Sequence, residues 1–150
     1  MSVFNQAQKI SAVQTIDLRS RILRPTQPIE MCHYAEDNFA STFHLGISSN
    51  GKIICNGTFI QQVSEKLPGA ELPYRLRGMA TEPAYQKQGL GSVIVYAGLQ
   101  ELEVRHCDLL WFNARTSAEN FYLKLGFDSF VEIFEIPLIG PHKVMYKWLK

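Results

Sequence analysis

A glycine turn in the second half of the chain has residue types and a spacing that could bind an anionic ligand. It runs Gln86-Lys87-Gln88-Gly89-Leu90-Gly91-Ser92, between a predicted strand and a predicted helix. The first N–H groups of a helix have no acceptors within the helix, and they lie at the positive end of its dipole. Gly89 and Gly91 carry no side chains that block a close approach, and Lys87 adds charge at the rim. A pyrophosphate fits such a turn, and a plain helix start that needs glycine only for its geometry is the alternative.

The turn differs from two common nucleotide-binding motifs. It lacks the Gly-Lys-Ser/Thr ending of the mononucleotide loop, and it has two spaced glycines where the dinucleotide fingerprint has three. Two glycines alone do not distinguish a binding turn from a structural one, so the interpretation depends on the residues around it.

A second stretch whose side chains could take part in a reaction contains Asn120 and Tyr122. A phenol with an ordinary pKa of about 10 stays protonated at neutral pH and can donate its proton to a leaving group. By position alone Tyr122 is more often a core aromatic beside Phe121, so a chemical role for it depends on the motif around it. Asn120 is a candidate ligand contact or an exposed residue near a helix start.

The elements that must position these residues follow from hydrophobic periodicity and turn signals. Asn50-Gly51 marks a hairpin turn, Pro25 and Pro28 follow the end of a first helix, and Gly126 closes a short one. The patterns predict helices over 11–23, 89–105 and 117–125, and strands over 42–47, 52–63, 74–81, 108–113, 127–136 and 143–149. A run of strands, then alternation with helices, then strands again predicts a mixed sheet with helices on both faces.

Composition narrows the class of protein. A chain of 150 residues with 46% hydrophobic content suits one domain over 1–150. The formal charge of +1 and the absence of dense Lys and Arg runs argue against nucleic-acid and membrane partners. Without a signal-peptide pattern or a long apolar run, a cytoplasmic location is expected. Cys32, Cys55 and Cys107 lack metal-ligand and disulfide spacing, so we expect no metal site and buried reduced thiols.

Two motifs together resemble the GNAT acetyltransferase superfamily. The pattern Gln-x-x-Gly-x-Gly after Gly78-Met79-Ala80-Thr81 is similar to the family's acetyl-coenzyme A motif, whose first position is Arg or Gln. The segment from Asn113 to Phe127 is similar to its other signature, a short helix with Ala, then aromatic-Tyr, then Lys-Leu-Gly-Phe. The flanks Leu18 to Pro25 and Ile139 to Lys147 resemble a bacterial branch of the family, which supplies no substrate.

The resemblance implies a fold, a cosubstrate and its binding residues. The fold is α/β (α+β), with a mixed, mostly antiparallel central sheet and helices on both faces, and the cosubstrate is acetyl-coenzyme A. The backbone from Met79 through Ala80 to Thr81 is implied to pair with the pantetheine arm, and amides from Gln88 to Ser92 to hold the pyrophosphate. A splayed strand has the unpaired N–H and C=O groups for this pairing. An ordinary central strand, with Gly78 marking a bulge, is the alternative.

The acceptor side departs from the family pattern. Many members carry a carboxylate base on the strand before the glycine turn, where this chain has Tyr74-Arg75-Leu76-Arg77-Gly78. Alternation predicts Arg75 and Arg77 on one face with Met79 and Thr81, unless a bulge swaps the faces. Arg77 is then a candidate to bind a substrate carboxylate in bidentate fashion, and Arg75 is predicted to be solvated.

The general base has two candidates. His142, between Pro141 and a predicted strand, suits a base near neutral pH, although a lone His is often structural. Water that relays the proton to Glu82 or to solvent is the alternative.

The expected activity is transfer of acetyl from acetyl-coenzyme A to a primary amine of a small molecule, directly in a ternary complex. The cysteines lack a recognisable base partner, which argues against an acyl-enzyme. A noncatalytic acyl-coenzyme A sensor or interaction module is the alternative, favoured by the missing strand carboxylate and disfavoured by Tyr122. The sequence does not name the amine, separate a metabolite from a protein amine, or fix the oligomeric state, for which a homodimer is one option.

Overall fold

The computed structural model describes residues 6–149. A short edge strand, β1 (Gln8–Ile10), precedes a helical segment that we call α1. Three consecutive turns form α1, a 3-10 turn Ala12–Thr15, an α turn Ile16–Leu18 and a π turn Arg19–Leu23. Gln14 accepts a hydrogen bond from the Ser11 backbone N–H at 2.8 Å, which caps its start. The predicted helix over 11–23 is therefore confirmed, and β1 was not predicted because three residues show too little periodicity.

The remaining strands and helices follow in chain order. They are β2 (Phe43–Ser49), β3 (Lys52–Gln61), β4 (Pro73–Thr81), α2 (Leu90–Val104), β5 (Leu109–Arg115), α3 (Glu119–Lys124), β6 (Asp128–Ser129), β7 (Phe134–Ile136) and β8 (Gly140–Trp148). Short 3-10 turns cover Ile29–Cys32, Pro83–Tyr85 and Thr116–Ala118. The single strand predicted over 127–136 is wrong, because only its two ends pair with β8.

Within residues 6–149, eight strands form one mixed sheet in the order β1-β2-β3-β4-β5-β8-β6, with β7 also paired to β8. Every pairing is antiparallel except that of β4 with β5. Gly98 of α2 packs directly on Phe59 of β3, whereas Arg19 of α1 bonds to the neighbouring residue, Thr58, at 2.7 Å. Adjacent strand residues point to opposite faces, so α1 and α2 cover different faces of the sheet. The predicted α/β fold is confirmed.

The two faces are named here after the helices that cover them. The α2 face carries the main core, which includes Phe59, Leu76, Phe112 and Tyr122. The α1 face carries a smaller apolar cluster that includes Leu109 and Trp111. Within residues 6–149, no helix has the length and apolar character needed to cross a membrane.

A β-bulge and a splay shape the middle of the sheet. Thr58 pairs with Arg77 but Asn56 pairs with Ala80, so two residues of β4 oppose one residue of β3. Gly78 lies in this bulge with φ of +65°, a conformation that favours glycine. On its other side β4 pairs with β5 only as far as Arg75. From there to its end β4 diverges from β5.

Candidate functional site

A cavity of about 660 Å³ lies where β4 and β5 separate. Both strands line it, together with the end of α1, the turn before α2, α3 and β8. Past the pair of Arg75 with Trp111, no register joins the two strands in the described part of the chain. The facing backbone edges therefore have N–H and C=O groups available for a guest molecule.

The glycine turn closes one end of this cavity. Gln86 and Lys87 line it, and the Gln86 side-chain amide donates to the Thr81 carbonyl at 3.1 Å. This bond ties the turn to the end of β4. Gly89 precedes the first residue of α2 with φ of +82°, and open space surrounds the position of a Cβ there. The turn therefore presents bare backbone to solvent at the N-terminus of a 15-residue helix.

The other residues predicted around the glycine turn lie outside the cavity lining. Gln88 is exposed, Ser92 is half-buried, and the Leu90 side chain is buried in the main core. What they can offer a ligand is backbone rather than side chain. Asn120 is exposed on α3 and also lies outside the lining.

The bulge at Gly78 changes which side chains of β4 share a face. Met79 packs against the main core on the α2 face, and Thr81 bonds to a core cysteine. Arg77 lies on the α1 face, with its guanidinium carbon 3.9 Å from the centroid of the Tyr34 ring. The predicted common face for Arg77, Met79 and Thr81 is therefore wrong, because the extra residue in the bulge inverts the alternation.

Tyr122 lies beneath the cavity on α3 and is 7% exposed. Its ring packs 4.4 Å from that of Phe112 and edge-on against Phe127 at 6.1 Å. Burial, with a smaller contribution from Cys55, raises the pKa of the Tyr122 hydroxyl above its ordinary value. No hydrogen bond to another described residue contributes to this shift. The hydroxyl therefore stays protonated at neutral pH and can act as a hydrogen-bond donor.

His142 lines the opposite side of the cavity on β8 and is 5% exposed. Its Nδ1 donates to the Gly140 carbonyl at 2.8 Å, since a carbonyl only accepts. In the neutral ring Nε2 then carries the lone pair. His142 is paired in register with Arg115 of β5. The histidine therefore has the tautomer that a proton acceptor at Nε2 requires.

Glu82 is engaged elsewhere. The Arg21 guanidinium lies 2.9 Å from its carboxylate and the Lys52 amine 3.2 Å away. The hydrogen bonds from Arg21 and Lys52 hold the pKa of Glu82 below its ordinary value. A carboxylate held in two ion pairs is a poor proton acceptor, which disfavours the relay through Glu82.

Arg75 is not solvated as predicted. Its guanidinium carbon lies 5.0 Å from the centroid of the Trp111 ring, and the side chain is half-buried in the cavity wall. Its Nε has no partner within residues 6–149. The pairing of β4 with β5 brings Arg75 next to Trp111, and this contact partly shields the Arg75 side chain from solvent.

The cavity is also lined by two arginines that were not predicted from the sequence. Arg115 ends β5, and its Nη2 donates to the Leu23 carbonyl of α1 at 3.1 Å. Arg24 follows α1, and its Nη1 donates to Gln27 Oε1 at 3.0 Å. Alternation with Trp111 along β5 places Arg115 on the α1 face, so that residue had a sequence signal. Arg24 had none, since the approach of α1 to β5 is a long-range contact.

The lining is basic. It contains no Asp or Glu among the described residues, and its ionisable basic side chains are Arg24, Arg75, Arg77, Lys87, Arg115 and His142. The described chain also has no group of three or more His, Cys, Asp or Glu side chains arranged to hold a metal ion. The cavity thus offers positive charge, a buried phenol and a free backbone edge.

Comparison with known proteins places this arrangement in a family. A profile of the acetyltransferase (GNAT) domain matches residues 33–129. The uncharacterized N-acetyltransferase YitI of Bacillus subtilis (strain 168) is 41% identical over 145 residues, which span 97% of both chains. The residues that the profile matches include the glycine turn and the Tyr122 helix.

Solved structures agree with the sequence matches. Escherichia coli ElaA is 17% identical, with a TM-score of 0.74 over 95% of this chain and 98% of ElaA. An aminoglycoside 6'-N-acetyltransferase complexed with coenzyme A is 12% identical, with a TM-score of 0.70 over 97% of each chain. At these identities the likeness shows the fold, and the family follows from the profile and from YitI. The chain belongs to the GNAT acetyltransferase family and is an acyltransferase.

Proposed function

We propose that this enzyme moves an acetyl group from acetyl-coenzyme A to a primary amine of a small molecule, by direct transfer in a ternary complex. The observation that carries the proposal is the cavity between the splayed strands, with Tyr122 on one face of the sheet and Arg77 and His142 reaching it from the other. Two substrates can enter such a cavity from opposite faces and meet in the gap. The aminoglycoside acetyltransferase that shares this fold is complexed with coenzyme A, which supports the choice of donor.

The donor lies along β4 in this proposal. Amides of pantetheine pair with the free backbone edge from Met79 through Ala80 to Thr81, as an added strand would. The pyrophosphate rests on the amides from Gln88 to Ser92, and Lys87 adds a positive charge. The open space at Gly89 supports this placement, since a ligand can approach the backbone there. Gln86 holds the turn against β4, and Asn120 stays a candidate contact to the coenzyme.

The transfer step needs two proton transfers, one on each side of the cavity. The amine nitrogen attacks the thioester carbonyl carbon, a C–N bond forms and the C–S bond breaks. The Tyr122 hydroxyl gives its proton to the departing thiolate, and Nε2 of His142 accepts the proton that the amine nitrogen loses. The products are an N-acetyl amide and free coenzyme A. Solvent then returns one proton to Tyr122 and takes one from His142.

Direct transfer is supported by the state of the cysteines. All three are free and buried, as expected from their spacing. Burial raises the pKa of the Cys55 thiol to about 11, and it also raises the pKa of Cys107. A thiol that stays protonated at neutral pH is a weak nucleophile. An acetyl-cysteine intermediate is therefore disfavoured.

Release of free thiol from acetyl-coenzyme A tests the proposal. Purified enzyme is offered acetyl-coenzyme A with a panel of anionic, neutral and cationic amines, and thiol is followed with a colorimetric reagent. We expect release that depends on both enzyme and amine, with the N-acetyl product seen by mass spectrometry. Tight coenzyme binding by calorimetry without release for any amine would instead support the noncatalytic sensor.

A further inference from the structure

We propose that the acetyl acceptor is an amine that carries at least two anionic groups, held by the four arginines on the α1 side of the cavity. The inference rests on the proposed function and names the substrate class of the same site. These four residues, called here the arginine cluster, are Arg24, Arg75, Arg77 and Arg115.

The chain has seven arginines, and the four of the arginine cluster differ from the other three in their ion pairing. The remaining three each pair with a carboxylate: Arg19 with Asp37 at 2.7 Å, Arg21 with Glu82 at 2.9 Å, and Arg105 with Glu101 at 2.8 Å. No member of the cluster has a carboxylate within 4.0 Å in the described part of the chain. The unpaired guanidinium groups are thus the ones that face the cavity.

Arg75 is a half-buried cation without a carboxylate partner among the described residues. Arg75 lies on β4 two residues before Arg77, and within residues 6–149 its Nε has no partner and its Nη1 makes a long bond of 3.4 Å to Gln62. Burial, with the nearby Arg77 charge, lowers the pKa of Arg75 to about 10, although Tyr34 and Glu36 oppose the shift. A half-buried cation without an acid partner is unfavourable. An anionic ligand in the cavity would supply the missing partner.

Neutral groups hold the cluster in place. Arg115 donates to the Leu23 carbonyl and Arg24 to the Gln27 side chain. Trp111 and Tyr34 support Arg75 and Arg77 through their rings. Because these contacts leave the positive charge uncompensated, the guanidinium groups remain free to form paired hydrogen bonds to carboxylate or phosphate oxygens.

The charge count sets the number of anionic groups. One carboxylate pairs with one or two guanidinium groups, so four call for at least two anionic groups. An amino dicarboxylate or an amino acid that bears a phosphate has that chemistry. A polyamine has the opposite charge and would be repelled from the cluster.

Binding and turnover test the inference together. Enzyme loaded with coenzyme A is titrated with aspartate, glutamate, phosphoserine, glycine, ethanolamine and spermidine, and tryptophan fluorescence is followed. Trp111 contacts Arg75, and Trp148→Phe removes the other tryptophan from the signal. We expect the dianionic amines to bind at least about tenfold tighter than glycine, and spermidine to give no signal. The dicarboxylates and phosphoserine separate the two possible anions.

Matched variants follow KM and kcat for the best dianionic acceptor. Arg77→Gln and Arg115→Gln should each raise KM about tenfold to a hundredfold, the effect of losing a charged hydrogen bond. Arg77→Lys should recover part of the loss, because a point charge replaces a planar fork. Arg21→Gln removes an exposed guanidinium outside the cavity and should leave KM unchanged.

The outcomes separate the two proposals. Best turnover with a neutral or cationic amine would overturn the dianionic acceptor and leave the acetyltransferase proposal standing. Dianion binding at Trp111 with no thiol release for any amine would support the anion site and overturn the proposed reaction. An unchanged KM for the dianionic acceptor in both folded glutamine variants would overturn the role of the cluster.

Discussion

Phe121 of α3 packs against Gly91 of α2, with its ring Cζ 3.2 Å from the position that a Cβ on Gly91 would take. The two glycines of the turn therefore serve different purposes. Gly91 lets α3, and with it Tyr122, approach the start of α2. Gly89 supplies a left-handed backbone and leaves the amides open. Substitutions at Gly89 can therefore test ligand binding without disturbing the contact between the helices.

The first prediction concerns the charge at Gly89. Asp and Asn have the same shape and both tolerate a left-handed backbone, so Gly89→Asp and Gly89→Asn differ mainly in charge. If the turn holds the pyrophosphate, the carboxylate of the Asp variant repels it. We expect the Kd for acetyl-coenzyme A, measured by calorimetry, to be at least about tenfold weaker in Gly89→Asp than in Gly89→Asn. Equal affinities in two folded variants would place the pyrophosphate elsewhere.

The second prediction concerns stability at the base of α1. Arg19 and Asp37 form a buried pair at 2.7 Å, and Arg19 also donates to Thr58 and the Cys32 carbonyl. Removing one charge of such a pair leaves the other unpaired, so Asp37→Asn should lower the free energy of unfolding by about 3–5 kcal/mol in urea titrations. The exposed Asp128→Asn is the matched control and should change little.

The pH dependence of this stability has a definite sign. Burial alone raises the pKa of the Asp37 carboxyl, but the hydrogen bonds from Arg19 and the Tyr34 backbone outweigh it and lower that pKa. A lowered folded-state pKa stabilises the protein above the unfolded value of about 4, and the contribution is lost as pH falls below it. The difference between the original chain and Asp37→Asn should therefore shrink below about pH 4. A constant difference across this range would contradict the assignment.

The third prediction concerns His142 as the proton acceptor. His142→Ala should lower kcat by about two to four orders of magnitude, the range that general base catalysis supplies. Added imidazole should restore part of the rate, because it can occupy the space that the side chain leaves. The exposed His33→Ala is the control and should keep its rate with or without imidazole. A His142→Ala enzyme with full turnover would leave proton removal to solvent.

Local patterns predicted the parts of the site that lie close together in sequence. Spacing within a few residues located the glycine turn, the helix with Tyr122 and β4, and the resemblance to the GNAT family supplied their expected roles. Hydrophobic periodicity located five strands and both longer helices, because each period repeats within a few residues. β1, β6 and β7 were missed as separate strands, since two or three residues each are too short for a period to appear.

Long-range pairing decided the rest. The bulge at Gly78 becomes visible only when β4 is aligned with β3, and it moves Met79 to the face opposite Arg77. The splay depends on where β4 stops pairing with β5, which no pattern in either strand marks. Arg24, Arg77 and Arg115 come to line one cavity because distant segments of the chain pack together. Local spacing therefore did not predict that four arginines share the cavity, although Arg77, Lys87 and His142 had been named as candidates.

The fourth prediction is that the Tyr122 hydroxyl protonates the departing thiolate. Tyr122→Phe keeps the ring and its packing on Phe112, so folding and the Kd for acetyl-coenzyme A should change little. Because burial raises the Tyr122 pKa above its ordinary value, the hydroxyl stays protonated, and kcat should show no fall from its ionisation up to about pH 10. The control is Tyr96→Phe, which removes an exposed hydroxyl from α2.

The most direct measurement is kcat for the best acceptor and Kd for acetyl-coenzyme A on the same preparation of Tyr122→Phe. The account predicts a Kd within about twofold of that of the original chain and a kcat lower by about two to four orders of magnitude. Tyr96→Phe should match the original chain in both quantities. Full turnover in Tyr122→Phe would contradict the account and return Tyr122 to the core aromatics.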